Sequence, residues 1–448
     1  MRKIALWIAA VGGGVLVLAA ARWLWPVLRW LFRHRAARVI EESRRRGIKL
    51  PAFKLTRRRA VIQRLTQDQE VIAAAENHAR ERGIPLALVM GRVERYAREI
   101  VPSFNPFLYF RIGIPLAGRI TRALYDVRIV SNEGLGAVDR RQDGETSIVF
   151  AMNHRSNMDY VILAHLTADR AALSYAAGEW ACVWPLGRLV GGMGAFFVRR
   201  GTGDDLYRRV LQRFVQMAVE GGLTQVIFPE GGLSRDGRLR DPKIGLLDYM
   251  MRGFDPNRTD ILFVPVAVNY DWVLEDHSLL QPGGPEAGLR GWGGLFASTG
   301  ISMFRNLLTA RRAGSFRLGS ASVSFGPPIS TREYAAARGV RFQELEREER
   351  IEEVKKLARH LMRAIGEEIP PAAVPLLARS LLDADDESLS KGELIARARS
   401  LAGGEPLDFE AALRTLVLRK LVIVECDGCR VAPGGEEILT YYANAVAD

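Results

Sequence analysis

From about residue 126 the sequence breaks into short apolar runs, spaced by stretches long enough for a helix. The runs are Val127–Val130, Ser147–Met152, Ala172–Tyr175, Thr224–Phe228, Ile261–Val268 and Ala321–Phe325. Helical patterns lie between them at Asn157–Leu166, Asp204–Glu220 and Pro242–Met251. Short apolar runs alternating with helices read as strands of one sheet joined by crossovers. The expectation is an α/β domain. At 448 residues the chain has room for more than that domain.

Charge is distributed unevenly. The formal net charge is +12, yet residues 1–60 alone hold fifteen Lys and Arg against Glu41 and Glu42. The rest of the chain is close to neutral, which argues against a nucleic-acid-binding body. The basic stretch follows a charge-free run from Ile4 to Ala21, with Trp7, Trp23, Trp25 and Trp30 nearby. About 20 apolar residues cross a bilayer, and tryptophans favour its interfaces. Residues 1–32 read as a retained membrane anchor. A cleaved leader ending at Ala19–Ala21 is the alternative. The arginines after the run would hold that side in the cytoplasm, with the remaining domains at the inner (cytoplasmic) membrane. Arg44–Arg46 and Arg57–Arg59 could draw anionic head groups.

Residues 33–125 read as a helical, membrane-proximal region broken at Gly83-Ile-Pro85. Asn105 to Leu124 carries Phe107, Leu108, Tyr109, Phe110, Ile112, Ile114, Leu116 and Ile120, with only basic charges. Ile301–Arg312 has a similar character. Either segment could lie in a lipid interface or simply cover the sheet. Residues 126–335 form the sheet domain. Residues 336–375 hold an amphipathic helix, Glu344–Glu368, with Ile351, Val354, Leu357, Leu361 and Ile365 on one face, followed by a linker. Residues 376–448 read as a small module of two helices and a hairpin around Leu421–Val431, winged-helix-like and suited to packing or interaction. Cys182, Cys426 and Cys429 make no disulfide framework. Cys426-Asp-Gly-Cys429 reads as a hairpin turn rather than half of a metal site.

Four blocks carry chemistry. In Asn153-His-Arg-Ser-Asn-Met-Asp-Tyr160 a buried strand gives way to a helix. Ser156 stands at the cap position, with Asp159 in the first turn. The Asp159 carboxylate can fold back on His154 and orient a general base. An ordinary capping box has the same spacing, and spacing alone does not separate the two. Gly191-Gly-Met-Gly-Ala-Phe-Phe-Val-Arg199-Arg200 ends an apolar run with two arginines suited to phosphate. Val226-Ile-Phe-Pro-Glu230-Gly231-Gly-Leu-Ser234-Arg235 continues to Arg238 and Lys243. It delivers a carboxylate, a hydroxyl and cations beyond a strand end, where α/β sheets bind ligands. Ile261 to Tyr270, with Pro265, reads only as a buried strand.

These blocks, in this order, resemble the four motifs of the glycerolipid acyltransferases. The wordings His-Arg-Ser-x-Met-Asp-Tyr, Gly-Ala-Phe-Phe-Val-Arg-Arg and Glu-Gly-Gly-x-Ser-Arg resemble the bacterial glycerol-3-phosphate acyltransferase family most closely. The resemblance is tight over about 150–270 and weaker beyond. It implies a central mixed β-sheet flanked by helices. It also implies transfer of a fatty acyl group from acyl-CoA or acyl-carrier protein to the sn-1 hydroxyl of glycerol-3-phosphate, giving lysophosphatidate, without metal or cofactor. His154 would be the base and Asp159 its support. Arg199, Ser234 and Arg235 would bind the acceptor, with Lys243 a further candidate. Glu230 and Gly231 would shape the site, and Pro265 the donor side. Phe228-Pro229-Glu230 is worded more like the lysophosphatidate acyltransferases, and Leu233 replaces a common Arg. Lysophosphatidate and dihydroxyacetone phosphate therefore stand as alternative acceptors, a non-catalytic membrane scaffold as an alternative class, and a tethered binding protein as a third.

Overall fold

Strand β1 spans Asp126–Ser131 and β2 spans Thr146–Met152. Every residue of β2 from Ser147 onward is buried. Ile148, Phe150 and Met152 face one side, and Val149 and Ala151 the other. A strand apolar on both faces needs a neighbour on each edge and helices on each face. The computed structural model supplies all four. It describes residues 35–48, 50–140, 146–178, 186–199, 201–280, 317–384, 388–425 and 428–446.

The remaining strands are β3 (Ser174–Gly178), β4 (Ala195–Val198), β5 (Gln225–Ile227), β6 (Asp260–Tyr270), β7 (Ser320–Phe325) and β8 (Ile329–Ser330). Their order is β1-β7-β6-β2-β5-β3-β4, with β8 also on β6. From β6 to β4 all neighbours are parallel, whereas β7 and β8 run antiparallel to β6. The sheet is mixed and flanked by helices, as the resemblance implied. The strand ends that follow Met152, Ile227, Val198 and Tyr270 therefore share one edge.

Helices cover the two faces from different parts of the chain. One face packs helix Met158–Leu166 and the C-terminal helices Ala373–Leu382, Lys391–Leu401, Phe409–Leu418 and Glu436–Ala443. The other packs Gln69–Arg82, Leu86–Ile100, Asp205–Glu220 and Arg347–Glu367. Local chemistry sets several of their ends. Asp68 and Asp204 accept from backbone N–H groups of the first turn, and Gly83 stops Gln69–Arg82 in the left-handed region at φ +61°. The long amphipathic helix buries Val354, Leu357, Leu361 and Ile365, the face expected.

Some expectations shift. The run Ala195–Val198, read as the lead-in to two arginines, is edge strand β4. Strand β3 starts two residues late, and the Ala172 and Leu173 carbonyls before it accept from the buried Lys54 Nζ at 2.5 and 2.7 Å. Helix Met158–Leu166 is preceded by Asn157 at its cap rather than Ser156. The boundary drawn at 375/376 falls inside helix Ala373–Leu382. The C-terminal hairpin pairs Val422–Glu425 with Gly428–Val431, and Cys429 is buried in the sheet's core. No helix among the described residues is long and apolar enough to cross a membrane. The anchor at 1–32, Arg200, Cys182, Cys426 and the segment 301–312 lie outside the described residues.

Candidate active site

Beyond Met152 the backbone leaves the sheet, and the Asn153 side chain takes over the pairing. Its Nδ2 donates to the Val268 carbonyl at 3.0 Å, and its Oδ1 accepts from Val268 N at 2.8 Å. That pins the start of the turn carrying His154. The next turn brings Asp159 back under it. Asp159 is fully buried, and its Oδ2 lies 2.9 Å from His154 Nδ1. The same oxygen accepts from Arg155 N at 2.7 Å and Ser156 N at 3.0 Å, and Oδ1 accepts from the Tyr270 hydroxyl at 2.6 Å. With two backbone N–H groups aimed at it, Oδ2 acts as an acceptor, so Nδ1 is the donor of the pair. In the neutral imidazole Nε2 is then the bare nitrogen. The ring lies against Phe228, centroids 4.0 Å apart and planes 22° apart, which fixes its plane. The turn can thus take a proton at Nε2.

The loop after β5 closes the site from one side. Glu230 is buried. Its Oε1 accepts from His154 N at 2.8 Å and its Oε2 from Arg240 N at 3.1 Å. Burial raises its pKa above the ordinary carboxylate range, against the pull of those two donors. Glu230 therefore ties the two loops together. The Ser234 amide donates to the His154 carbonyl at 2.8 Å. The Ser234 hydroxyl is turned inward and donates to the Arg238 carbonyl at 2.8 Å. Gly231 adopts φ +70°, and a Cβ there would meet Lys243 Cδ at 2.5 Å, so the lysine stem lies across bare backbone. Arg235 is exposed on the same loop.

Not all the expected residues meet there. Arg199 follows β4, three strand spacings from β2, or about 14 Å along the same edge. Its guanidinium is held by both carboxylate oxygens of Glu99, with Nε to Oε1 at 2.7 Å, and lies over the rings of Tyr96 and Tyr207. Pro265 is inside the sheet beside Ala151. Its carbonyl accepts from Gly326, so its missing N–H would point to the same side, where β6 changes partner from β8 to β7.

Sequence reasoning gave no role to Tyr270 or Glu275. Glu275 is buried; its oxygens accept from the Ser156 hydroxyl at 2.8 Å and from Asn157 Nδ2 at 3.0 Å. Burial raises its pKa above the usual range as well. Next to it, buried Asp276 binds Arg419 and accepts from the Tyr442 hydroxyl at 2.7 Å. The C-terminal helices thus stand directly behind the His154 turn. Only the position of Tyr270 at the end of an apolar run hinted at its part.

Two stretches of the chain match known family models. Residues 131–269 match the family model described as Acyltransferase, and residues 303–403 that of the glycerol-3-phosphate acyltransferase C-terminal region. The chain is similar to several bacterial glycerol-3-phosphate acyltransferases. It is 29% identical over 380 residues to the glycerol-3-phosphate acyltransferase of Aeromonas hydrophila, covering 81% of this chain and 44% of that one. It is 28% identical over 355 residues to that of Actinobacillus succinogenes, covering 78% and 42%. The chain therefore spans less than half the length of these curated relatives. A crystal structure of the 1-acyl-sn-glycerophosphate (LPA) acyltransferase from Thermotoga maritima aligns at 17% identity and a TM-score of 0.34, over 58% of this chain and 78% of that one. The His154 turn and the Glu230 loop both fall inside the first matched region.

Proposed function

We propose that this acyltransferase moves a fatty acyl group from a thioester to the sn-1 hydroxyl of glycerol-3-phosphate. The observation that supports it most is the His154–Asp159 pair with Nε2 left bare. The hydroxyl attacks the thioester carbon as Nε2 takes its proton. The carbon–sulfur bond then breaks, and the departing thiolate takes that proton back from the imidazolium. The exposed cations Arg235, Arg238 and Lys243 favour an anionic acceptor. The donor is acyl-CoA or acyl-carrier protein.

The reading includes a membrane. On the segment 108–124, Leu108 and Tyr109 turn inward, while Ile112, Leu116 and Ile120 are exposed at successive four-residue steps. Arg111, Arg119 and Arg122 flank that stripe. A stripe of this kind suits the cytoplasmic face of an anionic bilayer, next to the anchor proposed for 1–32.

One assay tests the reaction. Radiolabelled glycerol-3-phosphate, lysophosphatidate and dihydroxyacetone phosphate are each offered with acyl-CoA and with acyl-carrier protein. Preferred acylation of glycerol-3-phosphate, abolished in His154→Ala, is expected. Preference for another acceptor, or full turnover by His154→Ala, overturns the reading.

A further inference from the structure

The two carboxylate oxygens of Asp159 are held very differently. Three donors converge on Oδ2, namely His154 Nδ1 and the Arg155 and Ser156 amides. Among the described residues Oδ1 has one, the Tyr270 hydroxyl at 2.6 Å. Asp159 is fully buried, so water does not replace that donor.

The placing of the hydroxyl is not local. Tyr270 is the last residue of β6, 111 positions after Asp159. Its neighbours are fastened on both sides. Asn269 Nδ2 donates to the Pro370 and Ala445 carbonyls at 3.1 Å each. Asp271 accepts from Val374 N at 3.0 Å and Ser320 N at 2.8 Å. Val273 N donates to the Tyr442 hydroxyl at 3.0 Å. The Tyr270 ring packs on Tyr125, centroids 5.2 Å apart, and the Tyr125 hydroxyl turns away to the Trp272 carbonyl. A ring fixed on these sides presents its hydroxyl to Asp159 and to no other acceptor among the described residues.

Burial, and after it the Asp159 charge, raise the Tyr270 phenol well above its ordinary pKa, so it stays a proton donor. A hydrogen bond to a carboxylate fixes its plane and draws off part of its charge. Both effects reach the next bond, from His154 Nδ1 to Oδ2. The plane orients the imidazole, and the charge sets how tightly the imidazolium is held. Other ionisable groups surround the pair: Glu230 on His154 N, Arg155 within the turn, Glu275 behind Ser156 and Asn157, Tyr125 beside Tyr270, and Tyr441. None of their side chains donates to Asp159 Oδ1.

We propose that Tyr270 is a positioning residue of the acyl-transfer site: through Asp159 it orients the His154 ring and limits how tightly the imidazolium is held, so that the proton passes on to the departing thiolate. The proposal rests on the general-base reading of His154.

The test compares purified full-length wild type, Tyr270→Phe and Tyr125→Phe. The first readout needs no turnover. It is the titration midpoint of the His154 ring by NMR, the signal identified by its loss in His154→Ala. Without the hydroxyl, Asp159 bears more charge and the midpoint rises by about half a unit, roughly three-fold in proton affinity. The acid limb of the kcat/KM profile rises with it, and kcat falls several-fold while KM for each substrate holds. Tyr125→Phe removes a buried hydroxyl from the same ring pair without touching Asp159, and leaves midpoint and limb in place. A purely structural role would lower the melting temperature of both variants and move neither midpoint. Should Tyr270→Phe not fold, fluorotyrosine at position 270 keeps the ring and donates more strongly, and the midpoint falls instead. An unmoved midpoint overturns the proposal. A midpoint that moves while the acid limb stays put overturns the general-base reading and leaves the Tyr270–Asp159 link standing.

Discussion

On one face of the sheet Asp159 reaches His154, with the Tyr270 hydroxyl behind it. On the other, Glu99 from helix Leu86–Ile100 reaches Arg199 and holds it with both oxygens. Both pairs sit beyond strand ends on the same edge, and both join a charged group to a carboxylate. The outcomes are opposite. At His154 the carboxylate takes one ring nitrogen and leaves the other bare. At Arg199 it takes the guanidinium fork itself. Which element brings the carboxylate, and to which atom, decides whether a residue stays available for chemistry.

The largest effect should come from the first pair. His154→Ala is expected to lower kcat by about 10²- to 10⁴-fold while the melting temperature stays close to wild type, measured by initial rates and calorimetry. A loss of fold with the loss of rate would make His154 structural and erase the contrast.

The C-terminal support behind that face comes next. Arg419→Met leaves buried Asp276 without its cation and should cost about 3–5 kcal/mol in a denaturant titration. A smaller loss would show that Tyr442 alone satisfies Asp276. Gly237→Ala forces a side chain against the Tyr441 carbonyl at a φ of +84°, and a loss of about 1–3 kcal/mol is expected from the same titration. An unchanged midpoint would show that the Arg235 loop can move off the last helix without cost.

A pH series sharpens the same face. The Glu275 carboxyl is held above its ordinary value by burial, so the folded state favours its protonated form. That contribution is fully present below the unfolded pKa and is lost as pH rises through the folded one. The melting temperature of Glu275→Gln should therefore gain on wild type as pH rises from about 4. A gap that narrows instead would mean that the hydrogen bonds from Ser156 and Asn157 outweigh burial. The smallest effect belongs to the other face. Arg199→Lys should change acceptor KM by less than about five-fold, the range of a partly exposed ion pair. A larger change would mean that Glu99 lets the arginine go when substrate binds.

Much of this was legible from residue order. The runs at 148–152 and 261–268 are strands because they are apolar throughout, as a strand covered on both faces must be, whereas Thr224–Phe228 opens on two polar residues and shortens to Gln225–Ile227. The His154 and Glu230 blocks could be located because each follows a strand. The role of Arg199 was not legible, since a partner 100 residues away leaves no local trace. Nor were Tyr270 and Glu275. Tyrosines and carboxylates near apolar runs are common, and only their burial and partners distinguish these.

By itself the sequence determined the strand-and-helix alternation, the edge at which the loops gather, and that Asp159 stands within one turn of His154. Those follow from short-range periodicity and from turns a few residues long. The tertiary structure alone decided which arginine is already paired, which hydroxyl holds the Asp159 carboxylate, and that the last helix stands against the Arg235 loop. Each of those depends on contacts between segments far apart in the chain, and hydrogen-bond satisfaction is a property of the packed whole.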